Sequence, residues 1–259
     1  MDSSSPAIAP LPLRVLGLCP GGRARKQQPL WPILVAHGRA GGAIPATLAA
    51  FCDQLAEAHP CSHRHCSSLD SLPLVLLTRS QPLTDQLLPH VLEARRHDCR
   101  PLLLPMFALP GQHVIHDLAQ ACRWLADASH GLQRLPFLGS WPGLQRQLQE
   151  VSNCLRAVGQ RPVLLSHPSC HPLTCRFVGM LGRRLGLSVQ QPELERLPLL
   201  MDRLDSRDVV IPYQVAENRY SDRLAALLAG HESGPQLLDP LLSWPSVRAL
   251  VGQHLARIQ

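Results

Sequence analysis

Short apolar runs bounded by Pro or Gly alternate along the chain with longer stretches in which apolar residues recur at helical spacing. Four runs in the first half are apolar on both faces, as buried parallel strands are. They cover residues 32–37 (PILVAH), 73–78 (PLVLLT), 101–107 (PLLLPMF) and 135–139 (LPFLG). Helical spacing follows each run, over residues 44–58, 83–96, 114–127 and 142–156. This alternation predicts an α/β fold with a doubly wound parallel sheet.

The second half repeats this order at four corresponding places. The matched pairs are ILVAH at 33–37 with VLLSH at 163–167, QP at 81–82 with QP at 191–192, LLLP at 102–105 with VVIP at 209–212, and SWP at 140–142 with SWP at 243–245. Collinear matches favour two similar parallel-sheet domains related by internal duplication, with a boundary near residue 158. We therefore predict one domain over 30–158 and a second over 159–259. Residues 1–29 are rich in Pro, Gly, Ser and basic residues, which predicts a disordered or loosely packed tail.

Composition narrows the classes of partner. The chain of 259 residues has 25 Lys and Arg against 19 Asp and Glu, a formal charge of +6 that favours anionic ligands. Aromatic residues are only 4% and are not interleaved with basic ones, which argues against a nucleic-acid partner. No Gly-rich phosphate loop ending in Lys-Ser or Lys-Thr is present, so we expect no nucleotide.

The sequence also lacks the features that are typical of secreted and membrane proteins. Its nine Cys have no secreted-domain spacing, and no apolar run approaches the roughly 18 residues that span a bilayer. The first residues do not form a signal peptide. These features predict a cytoplasmic protein with reduced thiols and no membrane partner.

Two histidines stand where an open α/β sheet binds ligands, at the carboxyl ends of strands. His37 closes the first predicted strand and Gly38 follows it, while His113 comes after the third strand in Pro110-Gly111-Gln112-His113. Two neutral imidazoles would suit Co, Ni, Fe or Zn as divalent ions, and they could also accept protons near neutral pH. The alternative is that each His merely caps a strand or a helix.

These residues also carry a family resemblance. Residues 34–38 (LVAHG), and then Pro105-Met106-Phe107 leading to Gly111-x-His113-x-x-x-Asp117, resemble the CbiX-like sirohydrochlorin cobaltochelatases, which are class II tetrapyrrole chelatases. The resemblance covers residues 30–157 and, more faintly, 161–257. It implies chelatase-like domains, a tetrapyrrole partner, a divalent Co, Fe or Ni ion as substrate, and a place in cobalamin or siroheme biosynthesis. It also implies that His37 and His113 bind the metal and assist its exchange for pyrrole protons.

Two positions depart from the family pattern. Arg39 stands where a small hydroxyl residue is usual, and Thr78-Arg79-Ser80 stands where an acidic residue is common. Arg39 and Arg79, with Gly38 and Gly111, are predicted to contact the substrate, because Arg binds carboxylates in bidentate pairs. Added cations would also repel an incoming divalent ion. The alternative for both arginines is a solvated surface position.

The second half keeps only part of the pattern. His167 corresponds to His37, but Ala216 and Asn218 stand at the positions of Gly111 and His113. We interpret this half as a degenerate copy that closes the cleft, so that a monomer acts as a pseudo-dimer. The alternative is a new Zn site from His167, Cys170, His171 and Cys175.

A further cluster lies between the first helix and the second strand. It contains Cys61, His63, His65 and Cys66, which could form an accessory metal site or an exposed polar loop. The leading hypothesis for the chain is ATP-independent insertion of a divalent metal into a carboxylate-rich tetrapyrrole such as sirohydrochlorin. The alternatives are a non-catalytic metal or tetrapyrrole carrier on the same scaffold, and a chelatase for a different porphyrinoid.

Overall fold

The computed structural model describes residues 28–58, 72–77, 81–129, 132–229 and 234–258. The first half contains β1 (Leu30–His37), α1 (Ala46–Ala58), β2 (Leu74–Leu77), α2 (Leu83–Arg96), β3 (Arg100–Met106), α3 (Leu118–Ser129), β4 (Gln133–Arg134) and α4 (Pro142–Ala157). The second half contains β5 (Arg161–Leu165), α5 (Pro172–Leu185), β6 (Ser188–Gln190), α6 (Leu197–Met201), β7 (Asp208–Pro212), α7 (Arg219–Leu228), β8 (Gln236–Leu237) and α8 (Pro245–Ile258).

The strands form two four-stranded sheets in which all pairs are parallel. The strand orders are β2-β1-β3-β4 and β6-β5-β7-β8, the same order in each half. The predicted α/β fold with two similar parallel sheets is confirmed, and the equal order is consistent with duplication. The central strands of each sheet, β1 with β3 and β5 with β7, carry the longest buried apolar runs, because helices cover both faces there.

The two halves share one hydrophobic core. A single cluster of buried residues joins the inner faces of both sheets, through Leu34 and Leu104 on one side and Leu164 and Ile211 on the other. Helices α1, α4, α5 and α8 contribute to this cluster and lie between the sheets. Helices α2 and α3 cover the outer face of the first sheet, and α6 and α7 that of the second.

The repeated SWP tripeptide forms the same local structure twice. A 3-10 turn precedes the tripeptide's Trp in both copies, at Leu138–Ser140 and Leu241–Ser243. The indole Nε1 of Trp141 donates to Pro136 O at 2.9 Å, and that of Trp244 donates to Asp239 O at 3.0 Å. In both copies the acceptor lies five residues before the Trp, so the two segments share their local structure as well as their sequence.

The fourth strand begins earlier in the sequence than its apolar residues predict. The sequence predicts this strand over residues 135–139, but β4 covers only Gln133–Arg134 and the chain then turns. β4 is an edge strand paired with β3 alone, and the last backbone bond of this pairing runs from Leu135 N–H to Leu103 O at 3.0 Å before the chain turns. A side chain at Gly139 would place Cβ 1.8 Å from Ala108 O, so the turn also approaches the loop after β3 too closely for another residue.

Three of the predicted features fall in segments that the structure does not describe. Residues 1–27 of the expected tail, Arg79, and the cluster of Cys61, His63, His65 and Cys66 lie outside the described residues. The boundary near 158 stays a prediction, although α4 ends at Ala157 and β5 begins at Arg161. In the described part of the chain, none of the helices has the length and apolar character that a membrane span requires.

Candidate functional site

His37 and His113 meet at the carboxyl edge of the first sheet. His37 ends β1 and His113 opens the turn after β3, and these two strands are neighbours in the sheet. Their ring centroids lie 4.8 Å apart with planes at 73°, and the ring of Phe107 packs edge-on to His37 at 5.1 Å. Imidazoles that share an ion through bonds of roughly 2.0–2.1 Å have ring centres about 4.5–5.2 Å apart. The spacing therefore suits two ligands of one ion.

Asp117 orients the imidazole of His113. The two residues bound a π-helical turn, His113–Asp117, that leads into α3. Oδ2 of Asp117 lies 2.7 Å from Nδ1 of His113, and Oδ1 lies 3.1 Å from Nδ1 of His116. Burial acts to raise the pKa of Asp117, but hydrogen bonds with His113 and His116 outweigh it and keep the pKa below its ordinary value. The ionised carboxylate accepts the Nδ1 proton, which leaves Nε2 of His113 free to bind a metal.

His37 is held in its neutral form. Desolvation by the surrounding protein, and then the charges of His113 and His167, lower its pKa from 6.5 to about 4. The side chain keeps solvent-accessible surface, so a ligand can still reach it. At neutral pH the ring therefore offers a lone pair without first releasing a proton.

The described residues supply no third protein ligand. Within the described part of the chain, no three His, Cys, Asp or Glu side chains gather where they could hold one ion. The Zn site considered for the second half is thus not assembled from its four members, His167, Cys170, His171 and Cys175. Nδ1 of His171 instead caps α5, and Sγ of Cys175 donates to Ser169 O. An ion on the His37 and His113 pair would keep most of its coordination positions open.

Arg39 pairs with Asp222 across the two halves. Nη2 of Arg39 donates to Oδ2 of Asp222, and the side chains are 36% and 48% exposed. Asp222 takes the place in the second half that Asp117 has in the first, and Asn218, four residues before it, caps α7 by accepting from two backbone N–H groups. With Asn rather than His at 218, the carboxylate of Asp222 has the guanidinium of Arg39 as its side-chain partner.

Two threonines join the carboxyl edges of the sheets in equivalent ways. Oγ1 of Thr47, at the start of α1, donates to Glu217 after β7 at 2.5 Å. Oγ1 of Thr174, at the start of α5, donates to Pro110 O after β3 at 3.0 Å. The first bond joins α1 of the first half to the loop after β7 of the second half. The other bond joins α5 of the second half to the loop after β3 of the first half. The carboxyl edges of the two sheets therefore face one another.

His167 follows β5 as His37 ends β1. Its Nδ1 donates to Pro168 O at 2.7 Å, and its ring lies 5.7 Å from that of Tyr220 on α7. The side chain is exposed. After burial and the charge of His113, the charge of His167 is a further cause that lowers the pKa of His37.

The two predicted glycine positions differ in their surroundings. A Cβ at Gly38 would lie 3.3 Å from Leu76, so this position is tight. A Cβ at Gly111 would meet nothing within 4 Å, so space is open beside the loop that carries His113. Sequence reasoning did not identify Thr47, Thr174 or Glu217. The sequence feature that could have indicated the two threonines is a Pro-x-Thr tripeptide at the start of both helices, at 45–47 and 172–174.

No protein-family model matches the sequence, and no curated protein does either. Solved structures do match. SirB from Bacillus subtilis subspecies spizizenii in complex with cobalt has a TM-score of 0.56 at 13% identity, over 89% of this chain and 95% of that one. SirB from Bacillus subtilis with Fe3+ gives 0.58 at 14%, over 89% and 95%. CbiX, called the terminal enzyme for biosynthesis of siroheme in denitrifying bacteria, gives 0.57 at 21%, over 88% and 99%. The chain therefore has the fold of these sirohydrochlorin chelatases.

Proposed function

We propose that this chain inserts a divalent metal ion into a carboxylate-rich tetrapyrrole such as sirohydrochlorin, without a nucleotide. The observation that carries the proposal is the separation of 4.8 Å between the rings of His37 and His113 at the carboxyl edge of a parallel sheet. The ion would be Co, Fe or Ni, which imidazole nitrogen binds well. The fold shared with sirohydrochlorin chelatases supports the choice of macrocycle.

The proposed site would hold the ion loosely enough to pass it on. Only two imidazoles would bind it, and the other positions would be filled by water or by incoming pyrrole nitrogens. His37 is neutral at physiological pH because its pKa is about 4, and Asp117 fixes the proton of His113 on Nδ1. Each lone pair is therefore available, and four macrocycle nitrogens would outcompete two protein nitrogens.

Arg39 would bind a peripheral carboxylate of the macrocycle, with Gly38 and Gly111 allowing close approach. Arg39 already pairs with Asp222, and this pair is partly exposed. A substrate carboxylate would replace Asp222 as the partner of the guanidinium. Arg79 would contribute in the same way.

The second half would serve as the other wall of the cleft. The contacts of Thr47 with Glu217 and of Thr174 with Pro110 join the two halves within one chain. We propose that this arrangement lets a monomer act as a pseudo-dimer. Cytoplasmic location and reduced thiols belong to the same proposal.

The direct test is metallation of sirohydrochlorin with Co2+ over many turnovers under anaerobic conditions. The absorbance of the metallated product measures the rate. The parent chain should form more than one equivalent of product. His37→Ala and His113→Ala should fall to the rate without protein, since either change removes a ligand of the ion. His116→Ala is the matched control, because it removes an imidazole from the same turn but keeps the bond between Asp117 and His113. Parental rates in both ligand variants would overturn the proposal.

A stoichiometric carrier is the second candidate, and the pairing of Arg39 with Asp222 favours it. The pair bridges the loop after β1 and the first turn of α7, so it would slow the exchange of a bound macrocycle. A carrier would give an absorbance change that saturates at one equivalent of macrocycle or metal, with no further product.

A further inference from the structure

Metal insertion needs an acceptor for the protons that it displaces. Two pyrrole N–H protons leave the macrocycle for each divalent ion that enters. An imidazole nitrogen whose lone pair binds the ion cannot accept a proton at the same time. His37 and His113 would therefore be occupied when the first proton leaves. The chain also has Thr78-Arg79-Ser80 where an acidic residue would be expected, so another base is required.

His167 has the atoms of such a base. Nδ1 donates to the carbonyl of Pro168 at 2.7 Å, so the ring carries its proton there and leaves the lone pair on Nε2. The ring packs against Tyr220, whose hydroxyl donates to Pro192 O at 3.0 Å, and Gln191 Nε2 donates to the carbonyl of His167 at 3.1 Å. The bond to Pro168 O and the ring of Tyr220 thus orient the imidazole, which remains exposed to solvent.

Contacts between the halves bring His167 to the cleft of the metal pair. Helix α7 packs Tyr220 on His167 and also carries Asp222, which binds Arg39 two residues after His37. Helix α5, which follows His167, sends Thr174 to Pro110, three residues before His113. The interaction of charge between His37 and His167 agrees with this placement.

We propose that His167 accepts the first pyrrole proton, from the half of the molecule opposite the metal ligands. This inference rests on the proposed chelatase function. The pyrrole N–H bond breaks, its electron pair stays on nitrogen and bonds to the ion, and the proton moves to Nε2 of His167. The imidazolium then releases this proton to water. The second pyrrole N–H bond breaks once the ion has left His37 and His113, its electron pair stays on the nitrogen that binds the ion, and its proton moves to the freed ring nitrogen of one of these two imidazoles. No oxidation or reduction takes place.

The test measures kcat and KM for metallation of sirohydrochlorin with Co2+ in the parent chain, His167→Ala and His167→Gln. Both variants should lower kcat by about 100-fold or more, the usual effect of losing a general base. KM and the affinity for Co2+ alone, measured by calorimetry, should not change. Free imidazole in the buffer should restore turnover to His167→Ala, in proportion to its concentration. Cys170→Ala, an exposed change in the same loop, is the control and should behave as the parent.

Four results would overturn the inference. A parental kcat in His167→Ala would mean that no proton passes through this ring. A change in KM alone would make His167 a substrate-binding group, and weaker Co2+ binding would make it a metal ligand. A parent chain without turnover would overturn the proposed function together with this inference, whereas the first three results leave the function standing. Circular dichroism and the urea midpoint of both variants verify that they are folded.

Discussion

Replacing Asp117 by Asn tests whether a carboxylate orients the imidazole of His113, the proposed metal ligand. Oδ2 of Asp117 lies 2.7 Å from Nδ1 of His113, and hydrogen bonds keep the pKa of this carboxyl low despite its burial. Asn keeps the size of the side chain but removes its charge, and it can present an amide N–H instead of an oxygen. His113 would then lose the partner that keeps its proton on Nδ1.

The expected effect on metal binding is large relative to that on stability. Removing a hydrogen-bond partner of a metal-binding His typically lowers metal affinity 10- to 100-fold, about 1.4–2.7 kcal/mol. His113 and Asp117 have side chains that are 43% and 35% exposed, so the pair itself stabilises the fold by about 1 kcal/mol or less. A loss of Co2+ affinity with a nearly unchanged urea midpoint is therefore the predicted pattern.

The assay is calorimetric titration of Co2+ into the parent chain, Asp117→Asn and Asp222→Asn at 0.15 M salt. Asp222 is the matched control, since it occupies the corresponding position of the second half but pairs with Arg39. Its replacement alters a screened, partly exposed charge and should change the affinity by less than about 3-fold. The reasoning is refuted if Asp117→Asn binds Co2+ as tightly as the parent, or if both variants lose affinity equally.

Three further predictions concern the cleft and the contact between the halves. Asp222→Asn should lower the KM for sirohydrochlorin, because Arg39 loses its internal partner. Arg39→Ala should raise the KM. Steady-state kinetics that give both variants the same KM would count against binding of a substrate carboxylate by Arg39. The pKa of His37 is about 4 in the fold and 6.5 ordinarily, so between these values the unfolded chain binds more protons and stability falls as the pH is lowered. His37→Gln should flatten this fall in urea titrations of metal-free protein from pH 7 to 4.5, and a parallel pair of curves would contradict the pKa assignment. Thr174→Ala leaves the carbonyl of Pro110 without its donor and should lower the free energy of unfolding in urea by about 1–3 kcal/mol. Thr174→Ser keeps the hydroxyl and should retain most of the stability. Equal losses in both variants would mean that the methyl group of Thr174, and not its hydrogen bond, stabilises the fold.

Much of the fold could be predicted because parallel strands covered on both faces leave a strong pattern. Ile33 to Val35 and Leu102 to Leu104 are continuous apolar runs, and both are fully buried in central strands. The short fourth strand leaves a weaker pattern, since an edge strand pairs on one side only. Residues 135–139 are apolar because they pack in a turn, and hydrophobicity alone does not separate the two cases.

The meeting of His37 and His113 could be predicted from the sequence because two adjacent strands end in the same place. In an open α/β sheet the loops after neighbouring strands face one crevice, so a His at the end of each of two strands predicts a shared site. The pairing of Arg39 with Asp222 was not accessible, since the residues are 183 positions apart and lie in different halves. Sequence indicated the unusual Arg and the missing His separately, and only the packing of the halves joins them.

The most direct test of the account is whether metal passes from the protein to the macrocycle without entering solution. The chain is loaded with one equivalent of Co2+ and mixed in a single turnover with excess sirohydrochlorin and a chelator. The chelator is used at a concentration that does not strip the loaded protein on the same timescale. The parent chain should give one equivalent of cobalt product despite the chelator, and His113→Ala mixed with one equivalent of Co2+ should give none. Product formation that the chelator abolishes in the parent chain would contradict direct transfer from the His37 and His113 pair.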